Sequence, residues 1–373
     1  MVVTDKSTAS SPVTSIMSNS KIAIAILDDY HNAASLHFEQ IKSRGATVTI
    51  FEDTLPPYSH PATSEDEKNR LVERLLPFTI ICTMRERTPF PADLLKKLPN
   101  LKYLTTTGMR NAAIDVKAAT ELGIILTGTT SPAVRGPDST TQHTWALILA
   151  ITRGIARDDT LVKHGGWQTG FATGLSGKTL GVLGLGRLGA AVAKIAVIAF
   201  GMKVIAWSSS LTQEAADEKA QECGLTVVDD AGEKTFKAVT KAELFKQADI
   251  LTVHYVLSDR SKGILGRDDL TQMKPTAYLV NTSRGPLIDE AALLDTLKAG
   301  SIRGAALDVF ELEPLPKDSE WRTTVWGEGP HAQVLLSPHM GYVEEETISF
   351  WYAETAKNVE RWSKGEDVLN RLK

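Results

Sequence analysis

Cysteine is nearly absent: Cys82 and Cys223 are the only two among 373 residues. Two thiols cannot build a disulfide framework, so the fold must rest on packing, and the composition suits a reducing compartment. No apolar run approaches the roughly 18 residues that a membrane-spanning helix needs. The run at 22–27 stops at Asp28-Asp29 and reads as a strand. An excess of positive charge is also lacking: 41 Lys and Arg stand against 45 Asp and Glu. The formal net charge of −4 argues against nucleic acid as the main partner, and neither nucleic acid nor a membrane is expected as a partner. Residues 1–20 lack the apolar core of about 7–15 residues of a secretory signal and the arginines of a transit peptide. They read as a disordered tail on a cytoplasmic protein. What remains, 42% hydrophobic and 23% charged residues, is the make-up of a globular chain. Its length exceeds what one core serves, and two domains are expected.

Apolar runs at 21–27, 46–51, 79–84 and 101–106 predict strands, with helical periodicity at 33–44 and 64–76 between them. That alternation implies a parallel sheet with helices on its faces. It restarts after a long helix at 139–157. Trp145, Leu147, Ile148, Leu149 and Ile151 cover too much of that helix for a surface stripe, so it should be buried, between domains or between subunits. Strands are predicted at 179–183, 203–207, 226–228, 250–253, 277–281, 304–309 and 334–336. The polar stretch 214–238 reads as including an insertion, and a last helix at 347–362 should return to the first domain.

Gly184, Gly186 and Gly189 form G-x-G-x-x-G directly after the strand 179–183 and before a helix at 190–199. The first glycine permits a tight turn, the second admits a pyrophosphate to the backbone, and the third allows close helix–strand packing. N–H groups at the helix start then hold the anion. An acid at the end of the next strand would bind the adenosine ribose. Ser208-Ser209-Ser210 stand there instead. No carboxylate repels a 2′-phosphate and three hydroxyls can bond one, so the cofactor is NADP or NAD, with a slight preference for NADP.

Three later strands each run into residues suited to chemistry: Asn281-Thr-Ser-Arg284-Gly285, Asp308-Val-Phe-Glu311-Leu-Glu313 and Ser337-Pro-His339-Met-Gly341. Ligands of open α/β sheets bind at such carboxyl ends. Hydride transfer to a ketone needs these residue types. Arginine clamps a carboxylate with two parallel hydrogen bonds, histidine exchanges a proton near neutral pH, and a carboxylate beside the histidine fixes its ring.

This set of motifs resembles the D-isomer-specific 2-hydroxyacid dehydrogenase family, over nearly all of residues 21–373. The resemblance implies two Rossmann-like doubly wound α/β domains. A discontinuous flavodoxin-like substrate domain would span 21–126 and 345–373, and an inserted dinucleotide-binding domain 127–344. It implies Arg284, Glu313 and His339 as the catalytic set, with Arg284 on the substrate carboxylate, His339 exchanging the proton and Glu313 its partner. Thr107, Gly108 and Met109 match the family's substrate loop, whose N–H groups at Gly108 and Met109 would bind the carboxylate opposite Arg284. Cofactor contacts would fall on Gly184, Gly186, Arg187, Leu188, Gly189, Ser208, Ser209, His254, Tyr255, Thr282, Asp308 and Gly341, with Asp308 near the nicotinamide. No metal is implied, and a homodimer is. The expected activity is reversible reduction of a small 2-oxo acid to a D-2-hydroxy acid. The alternative is a non-enzymatic dinucleotide-sensing protein like the corepressors that share the fold.

Overall fold

The computed structural model describes residues 22–133 and 136–372; the tail at 1–20 lies outside them. The chain divides into one unit of Met1–Ser59, Thr63–Thr130 and Trp351–Lys373 and another of His60–Ala62 and Ser131–Phe350.

The first unit holds five strands: β1 (Ala23–Ile26), β2 (Thr47–Ile50), β3 (Ile80–Thr83), β4 (Tyr103–Thr106) and β5 (Ile125–Thr127). All neighbours pair in parallel, in the order β2-β1-β3-β4-β5. β3 and β4 are buried along their whole length, as befits a parallel sheet covered on both faces; neither alternates between buried and exposed positions, and Thr83, Thr105 and Thr106 are buried with the apolar residues. The helix Glu65–Leu75 starts at a capping box in which Ser64 and Glu67 satisfy each other's N–H groups. Its Leu71 and Leu75 are buried against Ala25, Ile81 and Leu104, each contributing about 1.5–3 kcal/mol of apolar transfer. β5 and the short helix Val116–Glu121, capped by Asp115, were not anticipated. Both are too short for periodicity to reveal.

The second unit holds β6 (Thr179–Leu183), β7 (Lys203–Trp207), β8 (Phe236–Ala238), β9 (Ile250–Val253), β10 (Tyr278–Asn281), β11 (Gly304–Leu307) and β12 (Gln333–Leu336). Their order is β12-β11-β10-β9-β6-β7-β8, a doubly wound arrangement whose strand order reverses at β6. Three expectations are corrected here. The strand foreseen at 226–228 is β8, several residues later; Val228 makes only an isolated bridge to Lys234, around a turn gathered by the Asp229 side chain. The polar stretch is no insertion at its start but a crossover helix, Gln213–Glu222, capped by Thr212. The long helix ends at Arg153, where Gly154 takes φ +67°, and Ile155–Lys163 is a second helix. Trp145, Leu147, Ile148 and Ile151 are buried within this unit's own core, among Leu180, Val182, Val280 and Ala306. Its burial needs neither a second domain nor a second subunit. The final helix, Glu345–Ser363, begins in this unit and continues in the other from Trp351.

Candidate active site

The turn after β6 shows why each glycine is needed. Gly184 has φ +98°, and a Cβ there would lie 2.8 Å from the carbonyl oxygen of His254. At Gly189 a Cβ would lie 2.1 Å from the carbonyl oxygen of Gly184, so helix and turn are in backbone contact. Gly186 is exposed, and a Cβ built on it meets nothing within 4 Å. Two glycines close the turn and the third leaves open space in front of the helix Arg187–Phe200. Such a cradle fits a dinucleotide pyrophosphate.

At the end of β7, the Tyr255 hydroxyl donates to Ser209 Oγ over 2.8 Å and accepts the Ser209 N–H at 3.2 Å. The Tyr255 ring stacks on Trp207 with centroids 6.2 Å apart. His254 precedes it with Nε2 2.9 Å from Thr252 Oγ1. Burial pushes the His254 imidazole down to about 4 against the weaker pull of Asp138, so the ring is neutral at physiological pH.

β10, β11 and β12 end level, with Asn281, Leu307 and Leu336 in register. The three reactive segments therefore leave one edge of the sheet side by side. Asn281 folds the first: its Nδ2 donates to the Arg284 carbonyl at 2.9 Å and its Oδ1 accepts the Ser283 N–H at 3.0 Å. Arg284 Nη1 donates to the Ser283 carbonyl at 2.6 Å. The next residue must be glycine, since a Cβ at Gly285 would sit 2.0 Å from the carbonyl of Phe310. The Arg284 turn is thus in backbone contact with the segment that carries Glu313. Glu313 accepts the Phe310 N–H on Oε1 at 2.9 Å, and its Oε2 lies 2.5 Å from His339 Nδ1. A carboxylate only accepts, so Nδ1 carries the hydrogen and Nε2 is the basic nitrogen of the neutral ring.

Asp308 lies beneath this pair, 1% exposed. Its Oδ1 accepts the Met340 N–H at 2.8 Å and the Ser337 hydroxyl, and lies 3.1 Å from His143 Nε2. Its Oδ2 accepts the Gly341 N–H at 2.9 Å. Burial works to raise this carboxyl, but the hydrogen bonds from His143, Ser337 and Met340 outweigh it and hold the group below the usual carboxylate range. Among the described residues, no group of His, Cys, Asp and Glu side chains could hold a metal ion, and no helix is long and apolar enough to cross a membrane.

Residues 145–341 match the model of the D-isomer specific 2-hydroxyacid dehydrogenase NAD-binding domain. The D-3-phosphoglycerate dehydrogenase of Methanocaldococcus jannaschii is 37% identical over 312 residues, 81% of this chain. The glyoxylate reductase of Aeropyrum pernix is 32% identical over 344 residues, 89% of this chain and 92% of the reductase. This chain belongs to the D-isomer specific 2-hydroxyacid dehydrogenase family. It spans 54% of the Methanocaldococcus relative's length. A solved phosphoglycerate oxidoreductase from Vibrio cholerae o395 shares the fold, with a TM-score of 0.75 and 33% identity over 92% of this chain and 99% of that one.

Set beside the family's pattern, some expected site residues turn inward. Thr282 is buried and its hydroxyl pairs with Thr144 Oγ1 at 2.7 Å, so the side chain faces the helix Ser139–Arg153. Thr107 is likewise buried; its Oγ1 accepts the Arg85 N–H and donates to Met84 Sδ. The Gly108 N–H, expected on a substrate carboxylate, donates to Thr129 Oγ1 at 2.8 Å, whereas the Met109 N–H meets no protein acceptor among the described residues. Arg187 is exposed and paired with Asp138, and Leu188 is half-buried beside it. Ser208 is half-buried and Ser209 exposed. Gly341 serves as a donor to Asp308. Asn281, Ser337 and His143 were missed. Asn281 is marked by bonds within its own turn, and Ser337 and His143 by Asp308; single-sequence spacing carries no sign of either.

Proposed function

We propose that the protein is an NAD(P)-dependent oxidoreductase that interconverts a small 2-oxo acid and a D-2-hydroxy acid. The observation that carries this reading is the Glu313–His339 pair on the sheet edge that also holds Arg284 and the glycine turn. The names of its relatives, a phosphoglycerate dehydrogenase and a glyoxylate reductase, support a substrate of that class. When bound, the nicotinamide gives or takes the hydride.

The residues of this chain do the rest. Gly184, Gly186 and Gly189 hold the pyrophosphate, with the N–H groups at the start of Arg187–Phe200 facing it. Arg284 clamps the substrate carboxylate and polarises the carbonyl. Glu313 keeps the His339 hydrogen on Nδ1, so His339 exchanges the substrate hydroxyl proton through Nε2. Met109 N–H is the donor retained for the substrate in the first unit, in place of Gly108. At the ribose, Ser208 and Ser209 favour NADP. Tyr255 donates to Ser209 Oγ, which leaves the Ser209 proton for a 2′-phosphate and strengthens it as a donor.

The proposal extends to assembly. Ile155, Trp167 and Phe171 are 59%, 74% and 93% exposed, on and just after the helix Ile155–Lys163. Apolar groups of that size, together in one stretch, fit the homodimer contact that the family resemblance implies.

His339→Ala tests the mechanism. Removing a general acid–base lowers kcat by about 10²–10⁴-fold and leaves the cofactor dissociation constant unchanged. Arg284→Ala raises the substrate KM and lowers kcat together. Wild-type turnover in His339→Ala would remove the assigned proton path, and a loss of thermal stability alone in Arg284→Ala would make that residue a loop cap.

A further inference from the structure

His143 has no part in the mechanism so far, yet it reaches the centre of the site from the helix Ser139–Arg153. Its Nε2 lies 2.8 Å from Ser337 Oγ and 3.1 Å from Asp308 Oδ1. Ser337 donates its only proton to Asp308. Ser337 can then only accept from the imidazole, so Nε2 must carry the hydrogen, shared between the hydroxyl and the carboxylate. Behind this contact Asp308 gathers the whole turn that bears His339. Its backbone carbonyl accepts the His339 N–H at 2.8 Å, and its carboxylate accepts those of Met340 and Gly341.

Three successive N–H groups thus converge on one residue, and the backbone they hold is strained. His339 takes φ +54°, a left-handed conformation that disfavours any residue with a Cβ. Such a conformation persists only where its surroundings over-determine it. The turn needs Asp308 both oriented and charged. Asp308 depends in turn on a donor from outside the turn, and His143, on the helix Ser139–Arg153, is that donor.

We propose that His143 is a positioning residue for His339: donating from Nε2, it fixes Ser337 and Asp308 and so keeps the 337–341 turn in the shape that sets the His339 ring on Glu313. His143 touches no reacting atom in this scheme. The inference rests on the reading of His339 as the proton-exchanging residue, and it adds a helix to what the family motifs place on strand ends.

The test uses the protein with its cofactor and five variants, His339→Ala among them. His143→Leu removes the donor at similar bulk, and His143→Gln returns an N–H near the same place. His143→Leu is expected to lower kcat by about 10–100-fold, the size of loss that follows a misplaced catalytic group. The dissociation constant for NADPH or NADH, read by fluorescence, stays within about twofold, because His143 is not itself among the expected cofactor contacts and the glycine turn is untouched. His143→Gln recovers most of the lost rate. Ser337→Ala costs less than His143→Leu, since Nε2 already lies within reach of Asp308, and the double variant falls no further than His143→Leu alone, as members of one network do. Wild-type kcat in His143→Leu, alongside an inactive His339→Ala, would overturn the proposal. So would a Gln variant as impaired as the Leu variant, a cofactor affinity that falls in step with kcat, or losses that multiply in the double variant. An active His339→Ala would instead overturn the proton-exchange reading beneath it.

Discussion

Glu313 and Tyr255 each act by deciding what a neighbouring polar atom can still do. Glu313 accepts the Nδ1 hydrogen of His339 and thereby leaves Nε2 as the nitrogen that can accept a proton. Tyr255 takes one lone pair of Ser209 Oγ and thereby points the serine proton elsewhere. From the second follows a specificity prediction. Tyr255→Phe weakens NADPH binding by about 3–10-fold, the net worth of one hydrogen bond, and leaves NADH binding nearly unchanged. Fluorescence titration of each cofactor measures the ratio; an unchanged ratio would place the 2′-phosphate away from Ser209. Arg284 and His339 stood out in the sequence as reactive residue types just past apolar runs, whereas Glu313, rather than Glu311, was singled out only by the family resemblance. Thr107 and Thr282 show the limit of that logic. A threonine at a strand end is as easily folded back onto the core as aimed at a ligand, and both hydroxyls proved internal. Asn281, Ser337 and His143 are polar side chains of ordinary turn and helix composition; the first acts within its own turn, and the other two take their meaning from Asp308, which is distant from them in sequence.

The glycine turn makes the clearest case among the elements, because its positions separate into closure and opening. Gly186→Ala adds a methyl that meets no protein atom within 4 Å, at a residue whose φ of −81° suits alanine. Its melting temperature should match the wild type while dinucleotide affinity falls at least tenfold, since the methyl occupies the space a pyrophosphate needs. Gly189→Ala drives a methyl to 2.1 Å from the Gly184 carbonyl and should lower the melting temperature itself. Calorimetry with and without cofactor distinguishes them; equal thermal losses in both would contradict the division of roles. The long βα elements around this turn were legible because their runs are fully apolar or sharply capped. β5, β8 and the split at Gly154 were not. Two are three-residue strands whose pairing comes from neighbours distant in sequence. The third depends on a glycine adopting φ +67° within an otherwise continuous helical pattern.

For the molecule as a whole, the α/β alternation predicted two parallel sheets, and the strand orders observed are those of doubly wound folds. A homodimer is implied only by the family resemblance, and Trp167 and Phe171 give that expectation a place to be tested. Sedimentation velocity of the wild type should show a dimer, and Trp167→Ser with Phe171→Ser should shift it to monomer. A dimer untouched by both changes would move the contact elsewhere. The activity itself is read by incubating the purified protein with NADPH or NADH and a panel of 2-oxo acids, including glyoxylate and hydroxypyruvate. Loss of reduced-nicotinamide absorbance would be followed by chiral analysis of products that carry a stereocentre. Cofactor oxidation, faster with NADPH, and a product of D configuration are expected. Tight cofactor binding without oxidation across the panel, or an L product, would contradict the proposed activity.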